Sequence, residues 1–355
     1  MSERMTRRRL LERSAALVGG FVLTDLPARA CIDGARVRWI VGWSPGGGFD
    51  TYSRLAEPFI EAALGAQIVI DNVPGAGGRV GALMLSRSRP DGRTLGILNG
   101  SGFLWDRAPG LNPTADLARD FTVLARVCRR QQVIIAGARA GVESIYDLIA
   151  LARRRPLVAG ITAIDSSNFA SLAAVTDLLG WRTEFVAGYP GTTEVILGLQ
   201  RGDCDITSLD IETFIEAPAL QTARPVLQIT PERSPDQRIA AVPHLTGPTG
   251  LITVEPELFA GEPSRAHALA AAITAYLEFG RLFAGPAGMA QELRDCVESG
   301  IHRALRDPGF AAAARRAGRS IDVMPGAEVR RQLPAAMAAV LPIAPVAAAA
   351  ARSIR

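Results

Sequence analysis

The chain contains no lysine, and all 39 of its basic residues are arginine. This arginine bias is read as a genomic compositional bias. It excludes the G-x-x-x-x-G-K-[ST] phosphate loop, which needs its lysine on the nucleotide phosphates. Histidine is scarce as well. His244 falls in a proline-rich stretch, while His267 and His302 fall on helical stretches. Surface or capping roles are expected for all three. With no H-E-x-x-H, zinc-protease chemistry has no anchor. Four cysteines (Cys31, Cys128, Cys204 and Cys296) show no C-x-x-C spacing, which excludes a standard zinc or thioredoxin motif. Cys128 with Cys204 is the one pairing considered. Aromatic residues make up only 6% of the chain, so its core is expected to be built from Ala, Val, Leu and Ile. No metal or cofactor is expected.

What is present begins with an address. Arg7 and Arg8 lie in Thr6-Arg7-Arg8-Arg9-Leu10-Leu11, which matches a twin-arginine export pattern. An apolar run, roughly 15–23, follows; it is too short to span a bilayer. Ala28-Arg29-Ala30 then offers a small-x-small cleavage site before Cys31. Residues 1–30 therefore read as a signal peptide, with acylation at Cys31 as the minor alternative, since Arg29 fits a lipobox poorly. That segment holds six arginines against three acidic residues, so it carries +3 of the formal +4. The remainder is nearly neutral, which removes any charge argument for nucleic acid as a partner.

The rest of the sequence is organised around Trp39-Ile-Val-Gly-Trp-Ser-Pro-Gly-Gly-Gly-Phe-Asp50. A short apolar strand, a glycine turn and an amphipathic run from Thr51 to Leu64 follow one another. Glycines bring a ligand close to the backbone, and N–H groups at a helix start attract an anion. Asp50 is expected to be the helix N-cap. The unit recurs at Asn72-Val-Pro-Gly-Ala-Gly-Gly78, at Thr162 to Asn168 and at Gly188-Tyr-Pro-Gly-Thr-Thr193, each after a β-type run. Strands alternating with helices give an α/β class with mostly parallel sheets, whose ligands bind beyond the carboxyl ends of the strands. Residues 231–279 are proline-rich and loosely patterned. Helices are expected over Met289–Leu305, Asp307–Ala317 and Val329–Val340, and a frayed one from Val346. For any single turn, a tight strand-to-helix connection is as good an account as a ligand site. Four such turns shift the balance toward a site.

Three motifs carry a family resemblance. Pro45-Gly46-Gly47-x-x-Asp50 with Ser53-Arg54-Leu55-Ala56, then Asn72-x-Pro74-Gly75-Ala76-Gly77-Gly78, then Pro90-Asp91-Gly92-x-Thr94-Leu95 resemble the opening of the Bug-type (TctC-like) solute-binding receptors of tripartite tricarboxylate transporters. Gly188-Tyr189-Pro190-Gly191-Thr192 with Gly202-Asp203-x-Asp205 resembles the second-lobe motif, and Phe283-Ala284-Gly285-Pro286-Ala287-Gly288 a weaker later one. Val242-Pro243-His244-Leu245 departs from the family pattern, and residues 246–276 form a longer stretch than is typical.

The resemblance implies a two-lobed periplasmic-binding-protein fold (type II-like), each lobe a mostly parallel sheet flanked by helices, with the ligand cleft at the hinge. Lobe 1 is expected over 32–130 and 228–355, and lobe 2 over 131–227. It also implies a small organic carboxylate as ligand and the membrane subunits of a transporter as partners. The chain is expected to act as a monomer with no catalytic step. Carried onto this sequence, the implied ligand-binding residues are Trp43, Ser44, Gly46, Gly47, Gly48, Phe49, Asp50 and Gly77 in the first lobe. The second supplies Ser166, Ser167, Asn168, Tyr189, Gly191, Thr192 and Asp210. No arginine lies in 44–50 or 188–193, so the ligand charge is expected to be met mainly by backbone N–H groups, hydroxyls and water. The alternatives are a secreted hydrolase or transferase using Asp50 and a serine, for which no base is evident, and a ligand sensor for a signalling partner.

Overall fold

The computed structural model describes residues 32–105, 115–164, 166–189, 191–217 and 220–354. Residues 1–31, which hold the expected signal peptide and Cys31, and Pro190 lie outside the described residues. Its strands, in chain order, are β1 (Arg36–Val41), β2 (Gln67–Asn72), β3 (Thr94–Asn99), β4 (Phe121–Cys128), β5 (Gln132–Ala136), β6 (Leu157–Gly160), β7 (Thr183–Val186), β8 (Ile206–Asp210), β9 (Arg224–Ile229), β10 (Arg281–Pro286) and β11 (Met324–Pro325). The helices are α1 (Gly48–Leu64), α2 (Arg79–Ser86), α3 (Gly100–Trp105), α4 (Leu117–Asp120), α5 (Ile145–Arg154), α6 (Ser167–Leu178), α7 (Thr192–Arg201) and α8 (Ile211–Glu216). They continue as α9 (Leu251–Val254), α10 (Pro263–Glu278), α11 (Gln291–Leu305), α12 (Pro308–Arg316), α13 (Gly326–Ala339) and α14 (Ile343–Ala351).

Two sheets result. One has the order β11-β4-β10-β3-β1-β2, the other β7-β6-β8-β5-β9. The strands that precede glycine or hydroxyl turns pair in parallel: β1 with β2 and β3, and β6 with β7 and β8. Their carboxyl ends therefore lie on one edge of each sheet, and the turns follow from there. The sheets as wholes are mixed, not mostly parallel, because β10 runs antiparallel to β3 and β4, and β5 antiparallel to β8 and β9. The physical reason lies in the connections. β4 passes to β5 in the other sheet through only three intervening residues, and β9 returns to β10 through 230–280. A strand that arrives from another sheet is not bound by the helical crossover that keeps neighbours parallel.

One face of the first sheet packs on α1, α11 and α12 through Trp39, Tyr52, Ile60, Leu64, Phe283, Ile301 and Phe310. Helix α6 is apolar all round and almost wholly buried, as such a helix must be. It packs against β8, α10 and α14. The alanine-rich tail is therefore a docked helix and not a frayed end; Phe185 N–H donates to Ser353 O at 3.1 Å just beyond it. The loosely patterned stretch hides the 16-residue helix α10, which starts on Pro263 and is rich in alanine. Alanine is the best helix former but a weak marker of a buried face, so periodicity is faint there.

His244 is buried, contrary to the surface role expected. Its strand-like segment lies along β9, with Leu245 N–H donating to Gln228 O at 2.9 Å. Cys128 and Cys204 are free and buried, so their pairing does not occur; the disulfide-bonded cysteine is Cys296.

Candidate functional site

Each parallel strand delivers its turn to the same sheet edge. After β1, Gly46 takes φ +82°, a left-handed conformation natural to glycine. Gly47 caps α1 without a side-chain bond, and the helix begins at Gly48. The expectation that Asp50 is the N-cap is thus corrected: Asp50 is the third helical residue. Its Oδ2 reaches back to accept from Gly46 N–H at 2.9 Å and from Arg54 Nε at 2.9 Å, and its Oδ1 accepts from Asn72 Nδ2 at 3.0 Å. A side chain at this depth in the first turn can tie down the loop before the helix, as a capping-box acid does. Burial alone would raise the Asp50 carboxyl; the bonds from Arg54, Gly46 and Asn72 outweigh it and hold the group below the usual aspartate range. With its oxygens so occupied, Asp50 shapes the loop.

Asn72 also donates to Trp43 O at 2.8 Å, so the first residue of the second glycine motif fixes both ends of the first loop. The indole of Trp43 stacks on Phe49, centroids 3.6 Å apart and planes 9° from parallel. Its edge lies where a Cβ on Gly78 would be, 2.4 Å away, so that glycine is required by close approach. A cavity beside it is lined by Trp43, Gly77, Gly78, Arg79, Ala82, Leu98, Asn99, Gly102 and Phe103. Asn99 Oδ1 has no hydrogen-bond partner, which leaves an acceptor open at this wall.

From the second sheet, Ser166 caps α6 by accepting from Phe169 N–H at 3.3 Å. Ser167 and Asn168 follow as buried first-turn residues, and Asn168 Oδ1 accepts from Ser166 Oγ. Gly191 caps α7 with no side-chain bond, leaving exposed Thr192 in the first turn. First-turn N–H groups have no acceptor inside their own helix. The Tyr189 ring lies against Gly198 of α7. Burial pushes the Cys204 thiol up to about 12, so it stays protonated.

Between the two sheets lies a cluster in which the sequence reading named Asp210 and Ser167 but neither arginine. Asp210, at the end of β8, accepts from Arg130 at 2.8 Å and from Arg281 at 3.0 Å. Arg130 also donates to Ser167 Oγ, at the start of α6. Arg281 sits on β10 against the rings of Phe49 (5.1 Å) and Tyr52 (4.6 Å). Burial alone would raise the Asp210 carboxyl, but the two guanidiniums overcome this and keep it ionised, below the usual range. Beside this cluster the Tyr52 hydroxyl lies 2.8 Å from Glu212 Oε1 and 2.6 Å from Ser320 O. The structure therefore brings Gly48, Phe49, Ser167 and Asp210 into one cluster, joined by Arg130 and Arg281. No local motif marks either arginine: Arg281 becomes a neighbour of the glycine loop, and Arg130 a neighbour of Ser167, only through tertiary packing. Among the described residues no cluster of His, Cys, Asp or Glu is arranged to hold a metal ion.

Two mixed α/β sheets with anion-attracting helix starts at their facing edges define the periplasmic-binding-protein class. Residues 53–251 match the model of the tripartite tricarboxylate transporter family receptor (TctC), and the chain belongs to that family. It is 28% identical over 216 residues to Protein BugT of Bordetella pertussis, covering 58% of this chain and 64% of that protein. Other curated relatives are matched over as little as 35% of their length, so the chain spans less than two thirds of the curated relatives it matches. Among solved structures it resembles R. palustris Rpa4515 with adipate (TM-score 0.71, 21% identity, 88% of this chain and 97% of that one). It also resembles the periplasmic binding protein BugD (TM-score 0.69, 17% identity, 90% and 99%). These likenesses establish the two-sheet receptor fold.

Proposed function

We propose that the protein is a periplasmic receptor that captures a small organic carboxylate and hands it to the membrane subunits of a tripartite transporter. The observation that carries this reading is the cluster at the start of α1 and α6. There the first-turn N–H groups of Gly48 and Ser167 lie beside Arg281 and Arg130, which meet on Asp210. Pre-oriented N–H donors at helix starts suit a carboxylate, and such bonds to a charged group contribute about 1.5–3 kcal/mol each. Membership of the receptor family and the adipate in a related fold support the ligand class. Trp43, Ser44, Gly46, Gly47, Gly48, Phe49 and Gly77 line the proposed site from the first lobe. Ser166, Ser167, Asn168, Tyr189, Gly191, Thr192 and Asp210 line it from the second. Asp50 and Asp210 take part as holders of the loop and of the guanidiniums. The lobes are 32–130 with 228–355, and 131–227; α14 reaches across to pack on α6 of the second. The protein works as a monomer and carries out no catalysis. It leaves the cytoplasm by the twin-arginine route.

A thermal-shift series on mature protein tests this with acetate, succinate, malate and adipate, using chloride at matched ionic strength as control. A carboxylate held at about 100 times its dissociation constant adds about 2.7 kcal/mol to stability, a readily measured rise in Tm. If no carboxylate in the series raises Tm above the chloride control, the reading fails.

A further inference from the structure

The Arg281 guanidinium is only 3% exposed, and its Nε has no hydrogen-bond partner. It lies directly behind the first glycine loop. A Cβ added to Gly48 would stand 2.9 Å from Nη2 and 3.9 Å from Nε. Gly48 is helical, where glycine is intrinsically unfavourable, so its presence here leaves room for the guanidinium. Phe49 and Tyr52 hold the cation by their ring faces, and Cys128 Sγ accepts from Nη1 at 3.4 Å. The charge count around it is uneven. Arg130 and Arg281 share the single carboxylate of Asp210. Glu212, the next acidic group, accepts from Ser320 and Tyr52 and faces Arg319, which also pairs with Glu216; Asp50 is taken by Arg54. The Arg130–Asp210–Arg281 group thus sets two guanidiniums on one carboxylate, in a buried setting where water screens them little.

We propose that Arg281 is a specificity-determining residue of the cleft: through the gap at Gly48 its guanidinium gives the glycine loop the positive charge that its backbone donors lack, so the site selects an ionised carboxylate over a neutral analogue. Backbone N–H groups can bond an amide oxygen as well as a carboxylate, favouring the charged acceptor; a fixed cation widens that difference. This inference rests on the receptor reading above and adds the residue that sets ligand charge.

Calorimetric titration decides it, using acetate, succinate, malate and adipate beside acetamide, succinamide, malamide and adipamide. Wild type should bind at least one acid and prefer it to its amide by about tenfold or more, the worth of one charge-assisted bond. In Arg281→Met, which keeps the length and apolar stem between the rings, that preference should collapse and acid affinity should fall by a similar factor. Gly48→Ala keeps the guanidinium but pushes it away, and it should move affinity the same way. Arg281→Met with wild-type acid affinity and preference overturns the proposal. Should that variant fail to fold, Gly48→Ala with an unchanged preference overturns it equally. An acid-binding wild type that binds the amide as tightly sinks this inference and leaves the receptor reading standing. A wild type that binds none of the acids sinks both.

Discussion

Arg281 Nη2 donates to Asp210 Oδ2 at 3.0 Å, joining a strand of one sheet to the last residue of a strand in the other. Both partners are nearly excluded from solvent, with side-chain exposures of 4% and 11%. Desolvation makes such a pair a weak source of net stability, but removing one member leaves a buried charge without a partner, at a cost of about 3–5 kcal/mol. Asp210→Asn should lose stability on that scale in urea denaturation. The pH sign follows from the lowered carboxyl: Asp210 stabilises the fold above the unfolded aspartate value of about 4 and ceases to as pH falls through its folded value. Wild type should thus lose stability below about pH 4 more steeply than Asp210→Asn, and parallel acid limbs would show that the pair does not hold the sheets.

Asp50 holds the glycine loop through Gly46, Arg54 and Asn72. Asp50→Ala should cost about 1–3 kcal/mol, because it leaves the part-buried Gly46 N–H and the Asn72 amide without this acceptor. Ligand affinity should fall with it, since the loop N–H groups lose their aim. Calorimetric titration and urea denaturation on one preparation test both; an affinity unchanged within error would mean the loop is held by other groups.

The two central loop glycines should separate stability from binding. Gly46 has φ +82°, so Gly46→Ala should strain the turn by about 1–2 kcal/mol. Gly47 has ordinary extended backbone (φ −74°, ψ 167°), and a Cβ there meets only Ser44 O at 3.5 Å. Gly47→Val should therefore keep stability within about 0.5 kcal/mol of wild type, while its side chain crowds the exposed side of the loop and lowers carboxylate affinity. A stable Gly47→Val that binds normally would place the ligand elsewhere.

Tyr52 reaches from α1 to Glu212 of α8. Its hydroxyl has one proton to donate, and Tyr52→Phe removes that link at a cost of about 1 kcal/mol. If the sheets belong to lobes that close on ligand, small-angle scattering should show a smaller radius of gyration for wild type with adipate than without. Ligand-free Tyr52→Phe should be the most expanded of the three. Identical curves for all would indicate a rigid body.

Export is tested at the other end of the chain. N-terminal sequencing of protein recovered from the periplasm should begin at or near Cys31, and replacing Arg7 and Arg8 with lysines should hold the protein in the cytoplasm. A full-length, cytoplasmic product would refute the address.

The sequence by itself determined the order of strands and helices around the cleft, because each depends on residues close in the chain. Apolar alternation marks β1, β2 and β3; glycines, serines and Asn72 mark the turns; Ser144 opens α5 within hydrogen-bonding range of its own helix. Three motifs of this local kind sufficed to point to the receptor family. Tertiary structure decided what those turns face. Arg281 and Asp210 are 71 residues apart, and Tyr52 and Glu212 are 160 apart. Nothing in the neighbourhood of either partner encodes such a meeting; it follows from β10 inserting between β3 and β4 and from the two passages of the chain between sheets. Packing of distant segments also buried His244 alongside β9 and docked the alanine-rich tail as α14. Local pattern fixes which backbone groups are offered at a helix start. Burial and charge around them are long-range quantities, set only when distant segments pack.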